Sequence, residues 1–185
     1  MKKVILVHRW DGNPDADWYP WLKEELEKRN IQVYIPIMPD PSKPKMEKWV
    51  SFLNKEIKDV DEQTFFVGHS IGCQAIMRYI ESLPDKTKIG GALFVAGFFL
   101  LNKLETEEEK IIAGPWLERP INADKVKKRI KQRRAIFSDN DPFVPLKNVK
   151  LFEEKVGAKT IVEKKQGHFN DSTAPIVLKI LLEMT

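Results

Sequence analysis

The chain is nearly devoid of cysteine: Cys73 is the only one among 185 residues. That excludes an intrachain disulfide framework and any cysteine-based zinc site, and it favours a reducing compartment. Long hydrophobic runs are absent too. No apolar stretch approaches the roughly 18 residues needed to span a bilayer. The opening Met1-Lys2-Lys3 and Val4-Ile5-Leu6-Val7 superficially copies a secretion signal, but the apolar part stops at His8-Arg9 and no small-residue cleavage site follows. The segment is therefore expected to be a buried strand, and the protein to be cytoplasmic, without membrane contact. Glycine (9) and proline (12) are too few for a collagen-like or low-complexity chain. With 42% apolar and 31% charged residues the composition is globular, and the length suits one domain over residues 1–185. Such a chain can bury a core without disulfide or metal.

The net charge of +4 is unevenly placed. Between Asn122 and Arg134 lie seven basic residues (Lys125, Lys127, Lys128, Arg129, Lys131, Arg133 and Arg134) against the single acid Asp124, which leaves the remainder of the chain at −2. A nucleic-acid patch is one reading. The plainer one is a solvated helix face, since Val126 and Ile130 supply only a narrow apolar stripe and no aromatics interleave. No nucleic-acid partner is expected.

Short runs rich in β-branched and aromatic residues alternate with longer stretches of helical period, the pattern of a parallel sheet covered by helices. Strands are expected at Lys3–His8, Gln32–Met38, Thr64–Gly68, Gly91–Ala96, Arg134–Ser138 and Thr160–Lys164. Most are continuous apolar runs, as in strands buried on both faces. Helices are expected at Trp18–Arg29, Met46–Val60, Ile71–Leu83, Lys147–Val156 (stopped by Gly157) and Thr173–Glu183, the last capped from Asn170-Asp171-Ser172. The three prolines in Met38–Pro44 mark a loop. Gly97–Pro120 breaks the alternation. It is long for a loop in a compact domain, and reads either as a lid or as a packed excursion with a short helix.

The stretch Thr64-Phe65-Phe66-Val67-Gly68-His69-Ser70-Ile71-Gly72-Cys73 reads strand, Gly-x-Ser-x-Gly, helix. Chance places such a pentapeptide in a chain of this composition on the order of once in a hundred sequences. A serine on that tight turn has its Oγ exposed, the glycines permit close backbone approach, and the helix N-terminus aims free N–H groups at a developing oxyanion. A serine hydroxyl needs a base. Of three histidines, His69 adjoins the serine and points elsewhere, His8 ends the first strand, and His168 follows the last strand, where open α/β sheets build their sites. His168 is therefore the candidate base. Its orienting carboxylate is expected in Ser138-Asp139-Asn140-Asp141-Pro142-Phe143-Val144-Pro145. Asp141, which opens Asp-x-x-Val-Pro, is preferred; Asp139 is the alternative, and otherwise a turn-former. The order Ser70, Asp141, His168 is the one expected of this fold class.

With these residues in view the sequence resembles the α/β-hydrolase superfamily. Within it, the chain is similar to the small serine hydrolases grouped with retinoblastoma-binding protein 9 and the bacterial YdeN-type esterases. The resemblance runs through His8, Trp18-Tyr19-Pro20-Trp21-Leu22, Gly68-His69-Ser70-Ile71-Gly72, Gly114-Pro115-Trp116, the Ser138–Pro145 segment and Gly167-His168-Phe169. It implies a three-layer α/β/α sandwich with a six-stranded parallel sheet in the order 2-1-3-4-5-6. It also implies a serine hydrolase acting on small esters or amides, most simply carboxylesters, with no cofactor and no metal. Ser70 would be the nucleophile, His168 the general base and acid, and Asp141 its partner. The oxyanion donors would be the backbone N–H groups of Ile71 and Trp10. Many relatives carry glycine after the first-strand histidine, where this chain has Arg9, read either as reaching a substrate carboxylate or as solvated.

Phe98, Phe99, Trp116 and Phe143 lie on loops after strands 4 and 5, and are expected either to wall an acyl pocket or to belong to the core. Cys73 reads as a small buried hydrophobe. The competing functional reading is a binding or scaffold protein that keeps the fold but has lost turnover.

Overall fold

A computed structural model describes residues 1–102 and 104–185 of the chain. Six strands, β1 (Lys3–Val7), β2 (Gln32–Tyr34), β3 (Thr64–His69), β4 (Ile89–Val95), β5 (Ile130–Ser138) and β6 (Lys159–Glu163), form one sheet in the order β2-β1-β3-β4-β5-β6. Every pairing is parallel. Because parallel neighbours need crossovers, helices cover both faces. α1 (Tyr19–Glu27) packs with α7 (Pro175–Met184), while α2 (Met46–Glu56), α3 (Ile71–Ser82) and α5 (Ala123–Arg129) follow one another across the opposite side. α6 (Lys147–Leu151) continues as a π-helical turn, Phe152–Val156, and stops at Gly157, whose φ of 66° is the left-handed conformation glycine adopts freely. No helix among the described residues is long and apolar enough to cross a membrane.

The central strands carry the core. All six residues of β3 and all seven of β4 are buried, with Phe66, Leu93 and Phe94 wholly inaccessible. Burying such side chains is worth about 1.5–3 kcal/mol each. Parallel strands covered on both faces thus explain why these segments are apolar without alternation.

Several boundaries differ from the sequence expectation. β2 ends at Tyr34, because Pro36 has no N–H for a ladder and the chain turns so that the Met38 N–H meets His8 Nε2 at 3.3 Å. α2 ends at Glu56, with Ile57 already extended. α7 starts at Pro175, with Ala174 before it and no side-chain cap, so Asn170-Asp171-Ser172 does not perform the expected capping. The basic segment is not one solvated helix. Only Ala123–Arg129 is helical, and Ile130–Arg134 already belongs to β5. Arg129 is buried, donating to the carbonyls of Ile80, Glu81 and Pro84 at the end of α3 and pairing with Asp85 at 2.8 Å. Arg133 similarly donates to the Lys127 and Gly157 carbonyls.

The 97–120 excursion contains α4 (Glu107–Glu118), which opens on a capping box between Thr106 and Glu109. Buried side chains hold both of its ends. Gln74 donates to the Phe98 carbonyl at 2.6 Å, and Asn148 takes the N–H groups of Phe99 and Leu100. At the far end Arg78 donates to the carbonyls of Trp116 and Arg119 at 3.0 and 2.7 Å. Gln74 and Arg78 both lie on α3, so the helix behind Ser70 also secures the excursion over it.

Candidate active site

Ser70 sits between β3 and α3 with φ 55° and ψ −119°, a conformation that L-residues rarely adopt. The flanking glycines are required by contact. A Cβ on Gly68 would lie 2.7 Å from the Cys73 backbone, and one on Gly72 would lie 2.2 Å from the Val7 carbonyl oxygen. The turn is thus pressed against β1 and against its own helix. Cys73 is wholly buried and donates to the Gly68 carbonyl at 3.1 Å; burial pushes its thiol far up, away from thiolate.

His168 Nδ1 and Asp141 Oδ2 are 2.8 Å apart, with side-chain exposures of only 8% and 1%. Asp141 Oδ1 takes the N–H groups of Phe143 and Val144, so both carboxylate oxygens are occupied and the group cannot swing. Around this pair the loops after β5 and β6 are laced together residue by residue. Asp139 takes the Lys165 N–H, Ser138 Oγ that of Gln166, and Asn140 Oδ1 that of Gly167. Asp139 is therefore a brace between loops, not a local turn-former and not the partner of His168.

Ser70 and His168 line one cavity of about 300 Å³, shared with Trp10, Ile71, Phe98 and Phe143. Among the described residues Ser70 Oγ has no hydrogen-bond partner, and neither has the N–H of Ile71 or of Trp10. The Trp10 N–H is aimed by an unforeseen device. His8 Nε2 accepts from Met38, so its proton resides on Nδ1, which donates to the Arg9 carbonyl at 2.8 Å; the Gly12 N–H donates to the same oxygen at 3.1 Å. In a planar trans peptide the N–H opposes the C=O, so the Trp10 N–H faces away from these donors. His8 is wholly buried, and that burial holds its imidazolium pKa below the ordinary value.

Other expectations need correction. Trp116 does not line the cavity. Its indole packs edge-on against Trp49 and donates to the Pro44 carbonyl at 3.1 Å, holding the proline-rich loop to the core. Phe99 packs against Phe152 instead. Phe98 and Phe143 do line the cavity, Phe143 edge-on to His168 at 5.1 Å. Leu101, Leu104 and Ala113 complete an apolar wall, and no local pattern marked these three. Arg9 also lines the cavity and is partly exposed, but its guanidinium is already paired with the buried Asp17 at 2.7 and 3.2 Å, so it is neither simply solvated nor an uncommitted cation for a substrate anion. A larger depression of about 520 Å³ beside β2 contains no serine, cysteine or histidine.

A six-stranded parallel sheet with a strained serine at a strand-to-helix turn defines an α/β hydrolase. The sequence model of the serine hydrolase family matches residues 4–174, and the chain belongs to that family. It is 30% identical over 184 residues to the putative hydrolase YdeN of Bacillus subtilis, covering 97% of this chain and 94% of the relative. The crystal structure of the ydeN gene product superposes with a TM-score of 0.90 at 28% identity, over 100% of this chain and 98% of that one. The serine hydrolase RBBP9 of Rattus norvegicus is 27% identical over 188 residues, with 98% and 95% of the two chains covered. Est1E of Butyrivibrio proteoclasticus, solved with ferulic acid bound, shares the fold at a TM-score of 0.76 and 15% identity, over 100% and 89% of the chains.

Proposed function

We propose that the protein hydrolyses small, uncharged carboxylic esters by acyl transfer through Ser70. The observation that carries this reading is the convergence on one cavity of the turn serine, the Asp141-bound imidazole and two unspent backbone donors. With Nδ1 of His168 held by Asp141, Nε2 is the nitrogen left to take the Ser70 proton as Oγ attacks the ester carbonyl. The new C–O bond leaves a tetrahedral oxyanion, which the N–H groups of Ile71 and Trp10 stabilise. Each such donor is worth about 10²–10³ in turnover. The imidazolium, held by Asp141, then gives its proton to the departing alkoxide, and the acyl group stays on Oγ. Water, deprotonated by the same imidazole, releases the acid and restores the serine. Every proton is returned and no cofactor is consumed.

The apolar wall of Phe98, Leu101, Leu104 and Phe143 favours a hydrocarbon acyl group. Its volume stands at the small end of ligand pockets, which run from about 300 Å³ upward, so acetyl and butyryl esters are preferred over palmitoyl. Arg9, neutralised by Asp17, gives no advantage to an anionic acyl chain. The deciding experiment is an acyl-length series of activated esters beside Ser70→Ala, with fluorophosphonate labelling of both. Hydrolysis and labelling by the parent protein alone support the reading. Absence of both in the parent protein favours a binding module, and hydrolysis surviving in Ser70→Ala rejects this chemistry.

A further inference from the structure

Tyr19 and His69 have no part in that chemistry, yet both are wholly buried and joined into a chain of hydrogen bonds around the site. The Arg9 N–H donates to Tyr19 Oη at 3.2 Å, and Tyr19 Oη lies 2.6 Å from His69 Nδ1. The other ring nitrogen, Nε2, lies 2.7 Å from the main-chain carbonyl oxygen of His168. Each link has a forced direction. A peptide carbonyl only accepts, so His69 holds its proton on Nε2; Nδ1 must then accept, and Tyr19 donates to it. One end of this chain is the residue before the Trp10 donor, and the other is the backbone of the candidate base. Its middle member directly precedes Ser70.

Neighbouring bonds hold the same two loops. Trp18 Nε1 donates to the Phe169 carbonyl at 2.9 Å, next to the His168 carbonyl. The Asp17 carboxylate grips the Arg9 guanidinium and lies 4.0 Å from His69 Nδ1. The clamped base loop has positive φ at Lys165, Gly167 and Phe169 (56°, 53° and 56°). At the two non-glycine positions, Lys165 and Phe169, backbone in that region persists only where surrounding contacts over-determine it. Burial also keeps the His69 imidazole uncharged, so it places no cation against the His168 ring 5.2 Å away.

We propose that Tyr19 and His69 are positioning residues, a buried bridge that sets the spacing between the oxyanion loop and the base loop on either side of Ser70. Neither touches the substrate. The bridge acts through the Arg9 N–H and the His168 carbonyl, and it rests on the esterase reading above. Its effect is on turnover, because displacing a reacting group by about 1 Å costs on the order of 10²-fold. An ester seated against the Phe98–Leu104 wall keeps its ground-state contacts, so KM is little affected.

The test compares Tyr19→Phe, His69→Leu and His69→Gln with the parent protein on a butyryl ester, beside Ser70→Ala and the distant core variant Leu53→Ala. Tyr19→Phe removes only the hydroxyl, and His69→Leu removes both links. His69→Gln restores an N–H aimed at the His168 carbonyl. We expect kcat to fall about 10- to 100-fold in Tyr19→Phe and His69→Leu with KM within about twofold. His69→Gln should regain much of the loss relative to leucine. Leu53→Ala, although less stable, should retain the parent kcat where it is folded. Should His69→Leu not fold, Tyr19→Phe, the near-isosteric change, decides alone. Parental kcat in folded Tyr19→Phe, or glutamine no better than a folded leucine variant, overturns the bridge while leaving an essential Ser70 intact. Hydrolysis surviving Ser70→Ala overturns the esterase reading and the bridge together.

Discussion

Replacing Ser70 with glycine is expected to stabilise the protein while abolishing hydrolysis. The native φ and ψ of 55° and −119° oblige a residue with a Cβ to occupy a sparsely populated region, which costs about 1–3 kcal/mol. Glycine adopts it freely, but it returns roughly 0.5–1 kcal/mol through the greater freedom of the unfolded chain. Ser70 Oγ has no hydrogen-bond partner among the described residues, so no side-chain bond is lost. The net gain is about 1 kcal/mol, or roughly 2–4 °C in Tm for a chain of this length. Ser70→Ala is the matched control, since it deletes the same nucleophile but retains the Cβ and therefore the strain. Both variants should lose turnover on the order of 10⁶-fold. Thermal and urea melts of the two, with ester hydrolysis measured on the same samples, make the comparison. A glycine variant melting at or below the alanine variant would falsify the claim that this turn stores strain.

The neighbouring position should behave oppositely. Gly72→Ala forces a Cβ to 2.2 Å from the Val7 carbonyl oxygen and 2.8 Å from that of His8, backbone that cannot yield, so a loss of Tm far beyond that of an ordinary helix substitution is expected. Tolerance of alanine there would mean that β1 and α3 are not in contact. Stability should also fall with acid below neutrality. Burial depresses the folded-state pKa of both His8 and His69, so below about pH 6.5 the unfolded chain takes up protons that the folded chain refuses. Each contributes a slope of up to about 1.4 kcal/mol per pH unit until its own folded pKa is reached, and the more strongly shifted His69 extends the decline further. Tm measured from pH 7.5 to 5 should drop, and His69→Gln should flatten the curve; a parent curve level over that range contradicts it. Finally, Arg9→Met leaves the Asp17 carboxylate, 6% exposed, without its cation. A loss of about 2 kcal/mol is expected, below the range for fully buried pairs because Arg9 is partly exposed. Arg9→Met with Asp17→Asn should regain part of it in urea titrations, and simple additivity of the two would exclude the pairing as its cause.

The alternation of strands and helices, the six-stranded parallel sheet, and the Ser70 turn with its two glycines were legible from the chain. Each is written in contiguous residues: apolar runs in β3 and β4, five residues around Ser70, and Asp-x-x-Val-Pro after β5. Such patterns follow from periodicity and local sterics, which act between neighbours in sequence. Tertiary contact decided the rest. Trp116 reads in the sequence either as a pocket wall or as core; Trp49 and Pro44, 67 and 72 positions distant in sequence, decide for the core. Arg129 looked solvated, yet the open carbonyls at the end of α3 drew it inward. By sequence alone His8 and His69 are only histidines badly placed to serve as the base of Ser70. Their roles depend on which main-chain groups of Met38, Arg9 and His168 face each ring. A buried imidazole's partners are set by how distant loops meet, and hydrogen bonds between residues 50 or 99 positions apart leave no periodic trace in the chain that makes them.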